Sequence, residues 1–392
     1  MMATIRALGL TRPDDGWAGF LVVPQPDDLQ HPVASGPSSS LTPYPLRVSA
    51  TRITQSALDV LRCQQTLGPL VETVDGLRSP EGDLIYPIRD GLIFMGYDAR
   101  QRDYISTVIG EEKDHQTSAE NVARDTEFLQ ESAQAMAALT RALRRLRPSA
   151  SGRRCLEVGA GSGWASYMFA EEGYDAWLCE LEPNSLSISW LYDHPNMAAG
   201  KRIVSDATLV PFADETFDVV LCKEFAHHVA DKEALFREAN RVLKPDGLLV
   251  LFEPVRSVAS AIYYARHPDP HTDHVIVWLH QYLRALRVSG FSVLERAPYH
   301  YRSGGRLPLV RGWRRRSKTR MHDGTLRHSL TDDALTYVAG AFLATICRKG
   351  TGIAQPPRPA IEIIDPALLT IGAAERERYR HFLDIIDNAR RS

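Results

Sequence analysis

Two neighbouring histidines, His227 and His228, follow the apolar run Phe217 to Cys222, with Glu224 just before them. Imidazole titrates near neutral pH, so a histidine at a strand end is suited to take a proton or orient an acceptor. Glu224 is a further candidate for the same task. Upstream, Arg154-Cys155-Leu156-Glu157-Val158-Gly159-Ala160-Gly161-Ser162-Gly163-Trp164 reads as a short buried strand that enters a glycine turn and opens a helix. Gly159, Gly161 and Gly163 let the backbone turn tightly and approach a ligand with no Cβ in the way. The helix start beyond them offers N–H groups to that ligand. A dinucleotide fingerprint requires G-x-G-x-x-G. Its third glycine would fall on Trp164 counted from Gly159, or on Ser166 counted from Gly161, so NAD and FAD are disfavoured. Glu180 stands 21 residues beyond Gly159, close to the ~20 of a ribose-binding acid in open α/β sheets. Asp206 follows the next apolar run, at a place where an aspartate is otherwise a common turn former.

The elements that must position these residues alternate. Strands are predicted near 153–158, 175–180, 202–205, 217–222 and 247–252, and helices near 163–172, 184–192 and 231–243. This alternation argues for a parallel sheet covered on both faces, with ligands bound beyond the carboxyl ends of the strands. A helix over Val122 to Leu146 precedes the pattern, with apolar residues at helical spacing. A helix near 276–288, a strand near 291–297 and a last strand over Ala341 to Arg348 follow it.

The segment E-x-G-x-G-x-G at 157–163 resembles the first motif of class I S-adenosylmethionine (SAM) methyltransferases. The runs Phe217-Asp218-Val219-Val220, His227-His228-Val229, Arg237-Glu238 and Arg241-Val242-Leu243-Lys244-Pro245-Asp246-Gly247 resemble later motifs of that family, with Asp246 where a glycine is usual. The resemblance covers about residues 150–255. It implies a Rossmann-like α/β fold with a seven-stranded, mostly parallel sheet and helices on both faces. It implies SAM as cofactor and S-adenosylhomocysteine as product. Glu157, Gly159, Ala160, Gly161 and Gly163 would cradle the methionine end. Glu180, beside Leu181, would take the ribose hydroxyls, with Glu182 as the fallback. Asp206 and the backbone of Ala207 would meet the adenine edge. Lys223, next to Cys222, would offer its backbone carbonyl to the cofactor's amino group. His227, His228 or Glu224 would serve as base or orient the acceptor.

Four parts are expected: an N-terminal extension and linker at 1–50, a small β module at 51–98, the catalytic domain at 99–352 and a C-terminal extension with a helix at 353–392. The end of the module, Tyr86-Pro87-Ile88-Arg89-Asp90-Gly91-Leu92, resembles the zinc-ribbon-like domains often joined to methyltransferases. Cys63 matches their first zinc ligand, but Thr66, Ser79 and Gly82 occupy the other three places. A structural zinc needs four ligands, so no metal is expected. His267, His271 and His274 form H-x-x-x-H-x-x-H, but Pro268-Asp269-Pro270 breaks the helix such spacing would need, and a loop lining the substrate pocket is the expectation.

A basic insertion at 299–330 carries Arg302, Arg306, Arg311, Arg314, Arg315, Arg316, Lys318, Arg320 and Arg327. Such a cluster either is solvated or holds phosphate, carboxylate or an RNA backbone. The net charge of −2 implies no global attraction to nucleic acid or membrane. Five cysteines without a C-x-x-C pair, no signal-peptide pattern and no membrane-length apolar run favour a reduced, cytoplasmic setting. The leading function is methylation of a small molecule, anionic if the arginines contact it, in secondary metabolism. The alternatives are an RNA methyltransferase and a non-catalytic SAM-binding partner subunit.

Overall fold

The computed structural model describes residues 53–103, 105–106, 126–187, 200–266, 275–300, 312–313, 321, 324–350, 353–369 and 388. The N-terminal extension and linker at 1–50, the histidines at 267–274, most of the basic insertion and most of the C-terminal extension beyond residue 369 lie outside the described residues.

The chain enters through α1 (Gln55–Leu58) and short strands β1 (Val71–Thr73), β2 (Gly76–Arg78), β3 (Ile85–Tyr86), β4 (Ile88–Arg89), β5 (Leu92–Phe94) and β6 (Gly96–Asp98). Helix α2 (Thr126–Leu146) leads to β7 (Arg154–Val158), α3 (Trp164–Glu171), β8 (Asp175–Glu180), α4 (Pro183–Ser187), β9 (Arg202–Val204) and β10 (Phe217–Lys223). Next come α5 (Lys232–Val242), β11 (Leu243–Val255), α6 (Val258–Tyr264), α7 (Leu279–Val288) and β12 (Phe291–Tyr299). Helix α8 (Leu330–Ala339), β13 (Ala341–Lys349) and β14 (Ile361–Ile363) complete the described elements.

The main sheet runs β12-β13-β11-β10-β7-β8-β9-β5-β4. From β11 through β5 every neighbouring pair is parallel, while β13 pairs antiparallel with both β11 and β12. Strand side chains alternate between faces, and the core divides accordingly. Leu156, Val158, Val220, Leu249 and Leu251 pack with α5 and α7. Cys155, Val219, Leu221, Val250 and Phe252 pack with α2 and α3 on the opposite face. Both faces are therefore dry, which is why these strands read as unbroken apolar runs.

Among the described residues the sheet has nine strands where seven were expected. The extra two come from the N-terminal module. Asp90 and Gly91, with φ of 51° and 74°, make the two-residue left-handed turn that a β4–β5 hairpin needs. β5 then lies parallel to β9, with Ile93 opposite Ile203 and Phe94 opposite Val204. β1, β2 and β3 form a separate small sheet, and β14 pairs antiparallel with β6. At the positions of the zinc-ribbon ligands, Cys63 Sγ lies 3.3 Å from Tyr86 Oη. Thr66 Oγ1 accepts from Gly68 N and Ser79 Oγ from Glu81 N. No group of three or more His, Cys, Asp or Glu in metal-holding geometry occurs among the described residues. No helix among them is long and apolar enough to cross a membrane.

Helix α5 is tied to the loop entering β10 by buried Arg241. Its Nη1 donates to Phe212 O (2.6 Å) and Asp214 Oδ1 (2.7 Å), and its Nη2 to Val210 O (3.1 Å) and Glu238 Oε1 (2.7 Å). Without Arg241, Glu238 would still hold Arg358 at 2.7 Å, but the carbonyls of Phe212 and Val210 would lose their buried donor, at a cost of about 2–5 kcal/mol. Arg241→Met is therefore expected to lower unfolding stability by that amount in urea titration, and a loss below about 1 kcal/mol would contradict the tie.

Candidate functional site

β7 ends in the glycine turn, and the three glycines have different tasks. Gly159 has φ +65°, and a Cβ there would lie 1.8 Å from Phe225 Cγ. Only glycine lets the loop after β10 settle onto the turn. Gly161 has φ +50°, and a Cβ on it would meet no atom of the described residues within 4 Å. Its outer face is open. Gly163, at φ +71°, starts α3. Ala160 N donates to Cys179 O (3.1 Å), stapling the turn to β8.

Glu157 does not reach toward the open face by its bonded oxygen. It is buried, and its Oε2 accepts from Ser166 N (2.9 Å) and Ser166 Oγ (2.5 Å). Burial raises its pKa to about 7, against the opposing effect of Ser166. One N–H of the α3 start is thus taken by Glu157 rather than offered to a ligand.

Two acids stand at the ends of adjacent strands. Glu180 Oε2 accepts from Gly161 N (2.8 Å), and its Oε1 from Leu181 N (2.6 Å) and Glu182 N (3.1 Å). The fallback acid, Glu182, is buried and turned to Ser185 N and Asn184 Nδ2 at the start of α4. Ser205 N donates to Glu180 O (2.8 Å), which sets Asp206 beside Glu180. Asp206 caps the short turn Ala207–Leu209: its Oδ1 accepts from Thr208 N and Thr208 Oγ1, both at 2.8 Å. Its Oδ2 is buried and has no hydrogen-bond partner among the described residues. Burial raises the Asp206 pKa, against the Thr208 hydrogen bonds. A buried carboxylate oxygen left unpaired is costly, about 1–3 kcal/mol or more. An amino group such as that of adenine would satisfy it. The open Gly161 face, the backbone-braced Glu180 and this orphaned oxygen together fit SAM.

At β10, Cys222 is locked in the sheet between Val158 and Leu251, and its side chain is buried. Lys223 Nζ lies 4.5 Å from the centre of the Trp164 ring and pairs with the Glu224 carboxylate. Glu224, at φ +50°, also accepts from Ser132 Oγ (3.3 Å). The structure thus joins Glu224 to Lys223 and α2.

His227 instead meets a residue that the sequence reading missed. Glu253, fully buried on β11, lies 2.9 Å from His227 Nδ1 through Oε2. Its Oε1 accepts from Phe225 N and Ala226 N, both at 2.7 Å. Burial would raise the Glu253 pKa, but the His227 hydrogen bond and these amides outweigh it and hold the carboxyl low. Burial lowers the His227 pKa despite Glu253. The pair is thus a carboxylate and a neutral imidazole. Nδ1–H donates to Glu253, which leaves Nε2 with its lone pair. The His228 ring packs 4.2 Å away, centre to centre, and is partly exposed. The available signal was an ionisable residue ending the apolar run Leu248 to Phe252.

Residues 156–251 match a family model described as a methyltransferase domain. A phosphoethanolamine N-methyltransferase of Triticum aestivum is 32% identical over 111 residues, 27% of this chain and 21% of that protein. A ubiquinone biosynthesis O-methyltransferase of Idiomarina loihiensis is 29% identical over 146 residues, 35% of this chain and 57% of that one. The chain spans between about a fifth and somewhat over half the length of these relatives. Among solved structures, Haemonchus contortus phosphoethanolamine N-methyltransferase 2 in complex with SAM is 20% identical, with a TM-score of 0.38 over 53% of this chain and 51% of that one.

Gly161→Arg is expected to fold and to lose SAM binding in calorimetry, because its side chain enters the open face. Retained affinity would take the turn out of the cofactor site. Gly159→Ala, whose Cβ would overlap Phe225, is expected to lower both melting temperature and SAM affinity.

Proposed function

We propose that the chain is a class I SAM-dependent methyltransferase that methylates a small-molecule acceptor, with His227 as base; the match of residues 156–251 to a methyltransferase-domain family model supports this reading. The observation that carries the cofactor half of this reading is the unpartnered Asp206 Oδ2 beside Glu180 and the open Gly161 face. The small-molecule half is supported by relatives named for phosphoethanolamine and for ubiquinone biosynthesis. An acceptor from secondary metabolism is the finer part of the proposal.

SAM, when bound, supplies an electrophilic methyl group on a sulfonium. The residues of the chain hold and orient. Glu180 accepts from the ribose, Asp206 Oδ2 from the adenine amino group, and the glycine turn admits the methionine end. Alignment of the acceptor is worth several kcal/mol of barrier when reacting atoms are held at near-contact distance. Where the acceptor carries a proton, His227 Nε2 takes it. Glu253 fixes the tautomer and then faces the resulting imidazolium as a counter-charge.

Labelled SAM incubated with host metabolite and RNA fractions is expected to mark the low-mass fraction, and label confined to RNA would overturn the small-molecule assignment. His227→Ala is expected to cut turnover about 10²–10⁴-fold. Because burial depresses the His227 pKa, its neutral form persists below the ordinary histidine value of about 6.5. kcat/KM should therefore be level above that pH and fall only on its acid side, as protonation removes the Nε2 lone pair. A decline beginning above about pH 7 would assign proton transfer to another group.

A further inference from the structure

Gln64 lies between α1 and β1 and is fully buried. A side-chain amide has two N–H donors and one oxygen acceptor, and Gln64 uses both ends at one junction. Its Oε1 accepts from Gly96 N (2.5 Å). Its Nε2 faces Gly96 O (2.9 Å), Ser205 Oγ (2.9 Å) and Leu209 O (2.7 Å). Its backbone N–H donates to Tyr86 Oη (3.1 Å). Ser205 and Leu209 bracket Asp206: one precedes it, and the other closes the turn it caps. Asp206 N also reaches Gly96 O, at 3.3 Å. Gly96 is itself pinned from behind, since a Cβ on it would fall 2.4 Å from both Glu362 O and Ile361 Cγ2 on β14. The loop that presents the unpartnered Asp206 Oδ2 is thus clamped from the N-terminal segment, with the C-terminal strand as backing.

We propose that Gln64 is a positioning residue for the adenine-binding loop, so that the N-terminal segment is an integral part of the cofactor site. The proposal rests on the assignment of Asp206 to the adenine of SAM. Gln64 is fully buried and offers no surface to a cofactor. It acts by holding Ser205 and Leu209, and through them the aim of the Asp206 carboxylate.

The test is a double-mutant cycle on the full chain, read as SAM dissociation constants in calorimetry with melting curves alongside. Asp206→Ala is expected to weaken SAM about 10–100-fold and Gln64→Leu about 10-fold. If Gln64 acts through Asp206, the double variant binds within about twofold of Asp206→Ala alone, because coupled residues are not additive. Multiplied losses would make Gln64 a general stabiliser and overturn the proposal, as would wild-type affinity in Gln64→Leu beside a weakened Asp206→Ala. Wild-type affinity in Asp206→Ala would overturn the cofactor assignment beneath it, and the proposal with it. Should Gln64→Leu fail to fold, Ser205→Ala deletes one clamp oxygen. It is expected to weaken SAM about threefold, with the same non-additivity toward Asp206→Ala; unchanged affinity or multiplied losses would overturn the proposal.

Discussion

A carboxylate at zero exposure must be satisfied by the chain itself, and the way Glu253 is satisfied organises this site. Its oxygens accept from the backbone of Phe225, Ala226 and His227 and from the His227 ring. Those bonds fix the loop after β10. The same loop lays Phe225 onto Gly159, so the candidate base and the glycine turn are parts of one packed unit. A change at Glu253 would be felt at the turn across β10, with no contact between Glu253 and the ligand.

The acids of the site differ through their surroundings rather than their type. Glu253 has amides and an imidazole and is held ionised. Glu157, equally buried but answered mainly by Ser166, rises to about 7. Asp206 has only half of its carboxylate answered, and burial dominates. One glutamate is thus a fixed anchor, the other braces a helix, and the aspartate keeps an oxygen for a partner. Three residues that look alike in the sequence are separated by which donors reach them.

What the sequence disclosed followed from local chemistry. The strands from 154 to 255 were legible because burial on two faces forces apolar runs. The glycine turn was legible because left-handed backbone angles at three nearby positions favour glycine. Glu180 and Asp206 were singled out because strand ends in a parallel sheet are where ligands are met. Glu253, Gln64 and the two added strands were not legible, for a common reason. Each depends on a partner far along the chain, such as Ser205 for Gln64, and periodicity carries no record of such partners. Within the small β module expected at 51–98, the Leu92–Phe94 strand has the unbroken apolar pattern of a strand inside a sheet.

The pairing of that strand with Arg202–Val204 also bears on how the chain is made. The two partners are about 110 residues apart in sequence, so the loop they close is long, and its closure carries an entropic cost before the contact rewards it. During synthesis Leu92, Ile93 and Phe94, all buried in the finished sheet, leave the ribosome well before the edge that will cover them. Over that interval the nascent chain presents an apolar strand with unsatisfied backbone groups, the kind of surface that chaperones hold and that neighbouring chains can capture. A pause in translation between the two segments would lengthen that exposure.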